Sequence, residues 1–379
     1  MTAGAVTRPG LTVFRRAFWI LLCGVLPVVT LYFALAPVLS GERDAVDFHF
    51  NYYLAAEAIL DGEDFYPTDG FVVRAAEDLI VDYVYPPLLA LVTIPWTVLP
   101  VGIAEAAFVL LLVGVFVATL ALLGVRDWRC YGLAFLWPPV TDAVTTGNVT
   151  IVLCLAAALV WRYRDRPVAA GATVGVSVAA KLFLWPLAVW LAATRRQAAV
   201  LWGVGVAVVT LLLSWAVVGF RGFEEYPDLV RRLTDRMDER GYTVYALAVD
   251  LGVSPLVAKT LWVALAVALL AAVVLVARRG DERAAFVLAL AAAIACSPIV
   301  WLHYFALVFV AVAVVQPRLG ALWFVGLPLQ AFVTTGLYNG STLQTTAVLL
   351  AAAITFALAL GAPRALRARA ISSPAAARP

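Results

Sequence analysis

Three side chains able to do acid–base or charge chemistry stand at the edges of apolar runs. They are Asp47 in "DFHFNYYLAAEAILDGEDFY" (47–66), Lys181 in "AAKLFLWP" (179–186) and His303 in "CSPIVWLHYF" (296–305). His49, the paired tyrosines Tyr52 and Tyr53, Tyr85, Asn148, Trp301 and Tyr304 accompany them. A carboxylate can take a proton, an ammonium can offset negative charge that grows in a reaction, and an imidazole can give or relay a proton. Each also has a plainer use. Asp47 can cap the helix that follows it, with Asp61–Gly62 closing that helix. Lys181 can snorkel to a membrane surface, and His303 can be a hydrogen-bonded interfacial residue. Convergence in space separates the two sets of roles, and that depends on the elements carrying them.

Of 379 residues, 64% are hydrophobic and 13% charged, with mean hydropathy +0.95. Soluble domains carry about 25% charged residues. Ala17–Leu39 is free of charge, and similar runs recur to the C-terminus. Each approaches the ~20 residues that cross a ~30 Å hydrocarbon core as a helix. The fold class is therefore an all-α polytopic membrane protein, because the short alternating segments of a β-barrel are absent. The first run exceeds a secretory leader's apolar region of about 7–15 residues, and Pro37 spoils the nearest cleavage site, so it reads as a retained helix.

Arginine sets the topology, since basic residues of short loops concentrate on the cytoplasmic side. The clusters are Arg15–Arg16, Arg126/Arg129, Arg162/Arg164/Arg166, Arg195–Arg196, Arg278/Arg279/Arg283 and Arg364/Arg367/Arg369. Placing all of them inside requires 130–161 to turn back at "TTGN" (145–148) and 167–194 to turn near Lys181 and Pro186. Residues 40–102 are rich in acids, with only Arg43 and Arg74, and form a first outer loop carrying juxtamembrane helices. Within it, Leu88–Leu99 is re-entrant or interfacial, and Ile103–Val125 crosses inward. Further spans cover 198–219, 254–277, 284–301, 303–315, 319–333 and 342–361. That makes about twelve helices, some short or re-entrant, in one transmembrane domain with both termini cytoplasmic. A second outer loop covers 220–253, and 362–379 reads as a disordered cytoplasmic tail. In this arrangement Asp47, His49, Tyr85, Asn148, Lys181, Trp301, His303 and Tyr304 all gather at the outer surface.

Several chemistries are excluded. The chain has no G-x-x-x-x-G-K-[ST], no H-E-x-x-H, no G-x-S-x-G and no D-x-D. With only two histidines a multi-histidine metal site is not expected, and no metal or cofactor is indicated. Composition excludes a nucleic-acid reader. The four cysteines read as small core side chains, and the triplets at Asn148 and Asn339 are discounted as glycosylation sites.

In order along the chain, the 47–66 stretch, "YVYPPLLALVTIPWTVLP", "TTGNVTIVL", "AAGATVGVSVAAKLFLWPLAVWLAATRR" and "CSPIVWLHYF" resemble glycosyltransferase family 87, of the glycosyltransferase C superfamily. The resemblance covers about residues 40–305, five motifs in family order. It departs at Tyr304, where the family often has a second histidine, and at Asn148, where glutamine is common.

The resemblance implies an inverting hexosyltransferase of the cell membrane. It would take sugar, most often mannose, from a polyprenyl-phosphate donor to a glycolipid or glycan acceptor at the outer face. Outside the membrane no nucleotide sugar is at hand, so an activated sugar must arrive in the lipid. It implies Asp47 as base, with His303 as second donor or proton shuttle. Lys181 would lie beside the leaving phosphate, with Asn148, Tyr85, Tyr53, Trp301 and Tyr304 lining the substrate site. A carboxylate of pKa ~3.9 suffices as base if the proton leaves late. The competing class is a transporter or flippase, which would place charges near the bilayer midplane, usually in related repeats.

Overall fold

The computed structural model describes residues 9–66, 73–74, 79–80, 83–237, 241–331 and 341–372. Asn339 and 373–379 lie outside them. Within them the chain is helical apart from one short antiparallel pairing, Val73–Arg74 with Leu79–Ile80.

The helices follow from apolar runs punctuated by proline and glycine. The N-terminal run folds as α1 (Pro9–Ile20), a wide turn and α2 (Leu26–Leu39). A π-helical turn, Asp47–Tyr53, leads into α3 (Leu54–Asp61), which Gly62 ends in a left-handed conformation. Next come α4 (Leu88–Thr93), α5 (Val101–Leu122), α6 (Trp128–Phe135), α7 (Pro138–Thr145), α8 (Thr150–Arg162) and α9 (Pro167–Lys181). The C-terminal half holds α10 (Pro186–Ala193), α11 (Gln197–Val217), α12 (Tyr226–Met237), α13 (Val244–Asp250), α14 (Pro255–Arg278), α15 (Glu282–Ala295), α16 (Leu307–Val315) and α17 (Thr342–Ser372). A 3₁₀ segment, Leu302–Ala306, leads into α16, all of whose residues are buried. Prolines open α7, α9, α10 and α14 at the first turn, where a missing N–H costs nothing.

Among the described residues five segments are long and apolar enough to cross a membrane: Val13–Leu39, α5, α11, α14 and Thr342–Gly361 of α17. The pair α7 and α8 makes a sixth, bent by 117° at the expected "TTGN" break. Full-length helices therefore do not match the twelve expected spans one for one. The hairpin 167–194 breaks as expected after Lys181 but into two short helices. The expected span 319–333 is not one continuous helix in its described part. Its described part forms two short 3₁₀ turns, Ala321–Phe324 and Leu327–Ala331, because Gly326 and Pro328 interrupt a continuous helix. Helix α17 runs on to Ser372, into the segment read as a tail.

Two of the basic clusters come together. Arg196 pairs with Asp165 at 2.6 Å and also with Glu282, and Arg164 lies 3.4 Å from Glu282. This joins the end of α8 and the starts of α9, α11 and α15 at one end of the bundle. Asn148, just before α8, and Lys181, at the end of α9, lie at the opposite ends of those two helices. The arginine layer and the polar cluster are thus separated by helix lengths of roughly 20 Å.

Helix α9 is held by close backbone contact with α11. A Cβ on Gly171 would stand 2.2 Å from the Ala199 carbonyl oxygen, and one on Gly175 would stand 2.5 Å from that of Gly203. Small residues four apart let two apolar helices touch along their backbones, which dispersion favours in lipid. Gly171→Leu is expected to force α9 off α11, costing about 1–3 kcal/mol or more. Its thermal midpoint in purified protein should fall well below that of Gly114→Leu, whose site on α5 has nothing within 4 Å. Equal midpoints would show that α9 does not need this contact.

Candidate active site

The cluster begins where the first loop docks on the bend between α7 and α8. The Asp47 and Phe48 N–H groups both donate to the Thr146 carbonyl, at 2.8 and 3.2 Å. Gly147 permits this approach: its φ is +69°, and a Cβ there would meet the Phe48 side chain at 2.6 Å. The Asp47 carboxylate, 5% exposed, does not cap its helix. One oxygen accepts from Asn51 Nδ2 at 3.2 Å, and the other from Asn148 Nδ2 at 2.9 Å.

Asn148 is fully buried, which removes it as a glycan acceptor in the folded protein. Its carbonyl oxygen collects the Thr150 N–H at 2.8 Å, the Thr150 hydroxyl at 2.6 Å and Lys181 Nζ at 3.2 Å. With that oxygen committed, its amide must face Asp47. One side chain thus links the acid to the lysine.

Lys181 is the last residue of α9, where the helix dipole favours a cation. Its Nζ lies 4.3 Å from the Tyr304 ring centre and 5.3 Å from that of Tyr85. The aromatic faces stabilise the buried charge. The Tyr52 hydroxyl accepts from the Val149 N–H at 3.3 Å, and its ring lies 5.7 Å from Tyr85. Burial above all, with the Asp47 charge adding, pushes both hydroxyls well above the usual tyrosine range. They serve as neutral hydrogen-bonding walls.

His303 follows from Tyr304, the two rings being 5.2 Å apart, and it stacks on Trp301 at 6.0 Å. It is 1% exposed, and neither ring nitrogen has a hydrogen-bond partner among the described residues. Its Nδ1 lies 3.4 Å from the Asp142 carboxylate of α7.

The structure thus brings together Asp47, Asn148, Lys181, Tyr85, Tyr304, His303 and Trp301. Tyr53 is not joined to them: its hydroxyl donates to the Leu99 carbonyl at 2.8 Å and braces the first loop. His49 belongs to a separate group, 3.1 Å from Glu105 and 3.5 Å from Asp44. Glu105 also accepts from the Ala45 N–H at 2.9 Å. The ligand atoms of Asp44, His49 and Glu105 lie within 4.8 Å of one another, near enough to share one cation.

Sequence reasoning missed Asn51, Thr150, Asp142 and Glu105. Two of these were findable: Asp142 and Glu105 are acids inside apolar runs, a pattern that marks function or a buried partner.

An apolar groove of about 560 Å³ opens beside the cluster between α4, α5, α8 and α9. It touches the cluster at Tyr52, at Val149 and at Ala180 beside Lys181, and extends past Leu89, Trp96 and Phe108.

A family model described as Glycosyltransferase family 87 matches residues 83–303, more than half of the chain. The match includes Tyr85, Asn148, Lys181, Trp301 and His303; Asp47 precedes it and Tyr304 follows it. Neither the curated proteins nor the solved structures contain a match.

Proposed function

The chain belongs to glycosyltransferase family 87, and from that premise we propose that it moves a hexose, mannose by family resemblance, from a polyprenyl-phosphate donor to a glycolipid or glycan acceptor at the outer face. The observation that carries this reading is the buried Asp47–Asn148–Lys181 network at the head of an apolar groove. A prenyl tail matches the groove, and a phosphate at its polar end meets the Lys181 ammonium. The arginine layer at the far ends of α8 and α9 supports cytoplasmic termini and an outward site. Family membership favours the enzyme over the transporter.

The reaction is one displacement at the anomeric carbon. An acceptor hydroxyl forms the new C–O bond as the bond to the lipid phosphate breaks, and the configuration inverts. Asp47 takes the hydroxyl proton late, when the oxygen already carries positive charge. Lys181 offsets the charge that grows on the departing phosphate, an effect that is largest in a dry site. His303, whose Nδ1 lies near Asp142, serves as the second donor or proton shuttle at that phosphate. Asn148 keeps the base and the cation apart at fixed spacing, as opposite faces of the sugar require. Tyr85 and Tyr304 wall the sugar, and no step uses a metal.

Membranes containing the protein are expected to transfer label from one member of a radiolabelled panel of polyprenyl-phosphate sugars to a glycan or glycolipid product. Nucleotide sugars given to membranes stripped of polyprenyl phosphate should yield nothing. Equal transfer from a nucleotide sugar under that condition sinks the proposal. Uptake into vesicles without transfer would restore the transporter.

A further inference from the structure

We propose that the outer cleft between Asp64–Tyr66 and the start of α12 is a saccharide subsite that holds a sugar ring of the acceptor. This rests on the transferase reading above and assigns a second part of its substrate. The cleft measures about 270 Å³, small beside the ~300–1,000 Å³ of typical ligand sites. Its chemistry comes from Asp64, Tyr66, Arg221, Glu225, Tyr226 and Arg232.

Two acids against two arginines leave no net charge. A phosphate site would be basic, a cation site acidic, and a lipid groove apolar, as the one beside Lys181 is. Ring faces combined with both acceptors and charged donors suit a neutral polyol. Aromatic faces take the C–H side of a sugar ring, while carboxylates and guanidinium groups take its hydroxyls.

The cleft is built rather than incidental. The Tyr66 hydroxyl donates to the Tyr85 carbonyl at 2.8 Å, and that of Tyr226 to the Val84 carbonyl at 3.3 Å. Both phenols are thereby anchored by their tips, leaving ring surface for the cleft. Tyr66 stacks on Trp215 at 5.6 Å, which fixes its plane. Arg221 is pinned by bonds to the Gly62 and Glu63 carbonyls at 2.7 and 2.9 Å. A Cβ at position 222 would come within 2.5 Å of the Tyr66 ring, so Gly222 keeps that wall in place. The Val84–Tyr85 backbone gripped from this side carries the Tyr85 ring that faces Lys181 on the other. A sugar in the cleft is therefore one segment away from the proposed reaction centre.

The test uses the full chain in lipid nanodiscs, with methyl α-mannoside, methyl α-glucoside and methyl α-galactoside as probes in saturation-transfer NMR. Ring-proton signals are expected from at least one probe and should be lost in Glu225→Ala/Arg232→Ala. Both side chains are exposed, so the variant should fold. In the transfer assay the acceptor half-saturation of this variant should rise about tenfold, equivalent to about 1.4 kcal/mol, and the donor's should not. No signal from any probe with the wild type, or an undiminished signal in the variant, overturns the subsite. A rise confined to the donor overturns its assignment to the acceptor. Probe binding without transfer from any polyprenyl donor would leave the saccharide cleft standing and remove the reading it was joined to.

Discussion

Asp47→Asn is expected to lose transfer by roughly 10²–10⁴, about 2.7–5.5 kcal/mol of barrier, while the protein stays folded. The network shows why the fold should tolerate it. The new amide must present its oxygen to Asn148, whose own amide cannot turn because its carbonyl already serves Thr150 and Lys181. Its nitrogen then faces Asn51, whose longer bond of 3.2 Å within one turn can be remade by flipping that amide. The cost is one rearranged hydrogen bond, on the order of 1 kcal/mol, against the loss of the only carboxylate shown bonded to Asn148. Single-turnover transfer and a thermal midpoint on the same preparation check both halves. Near-normal turnover would leave Asp47 as a structural anchor between the first loop and the Thr146 carbonyl.

Lys181→Met is expected to raise donor half-saturation and lower the rate together, with a combined loss on the order of 10²–10³ typical of removing one charge-stabilising donor. Methionine keeps the length and apolar stem. A lysine that merely covered surface would therefore be replaced at little cost. Here Lys181 is 6% exposed, and its ammonium sits between Asn148, Thr150 and the Tyr304 ring. Lys181→Arg should retain part of both functions, since charge remains but the fork does not fit a point-charge site. Donor titration of folded, purified variants decides the matter. Unchanged half-saturation and rate in the methionine variant would remove Lys181 from the centre.

Much of this arrangement was legible before any coordinates, for reasons that differ by residue. A charge in an apolar hairpin is costly, so Lys181 announced itself, as did the break at "TTGN" and the arginines at the opposite helix ends. Asp47 was visible as an acid at the edge of a span. Tyr53 was misplaced because adjacent helical residues point about 100° apart, and the turn at 47–53 is π-helical, which shifts the register further. Tyr52 faces the cluster instead. Asn51 and Thr150 needed the fold itself, since each earns its role by meeting a partner that the bend supplies. Full-length helices match only part of the expected spans, since several apolar runs form short segments instead: hydropathy through 319–333 says nothing of the break that Gly326 and Pro328 make.

The bend that receives the first loop also sets a schedule for the chain during synthesis. Asp47 waits for Asn148, 101 residues later, which at ~5–20 residues per second is roughly 5–20 s of translation. Lys181 arrives 33 residues after Asn148, and His303 comes only near the start of α16. Until Asn148 and then Lys181 emerge, the aspartate has Asn51 as its side-chain partner and lacks that lysine's charge nearby. A nascent chain stopped before the 3₁₀ segment at Leu302 carries most of the apolar spans but an unfinished polar cluster. Insertion of most apolar segments thus precedes completion of the polar cluster, whose last members, His303 and Tyr304, are made near the end of the chain's apolar core.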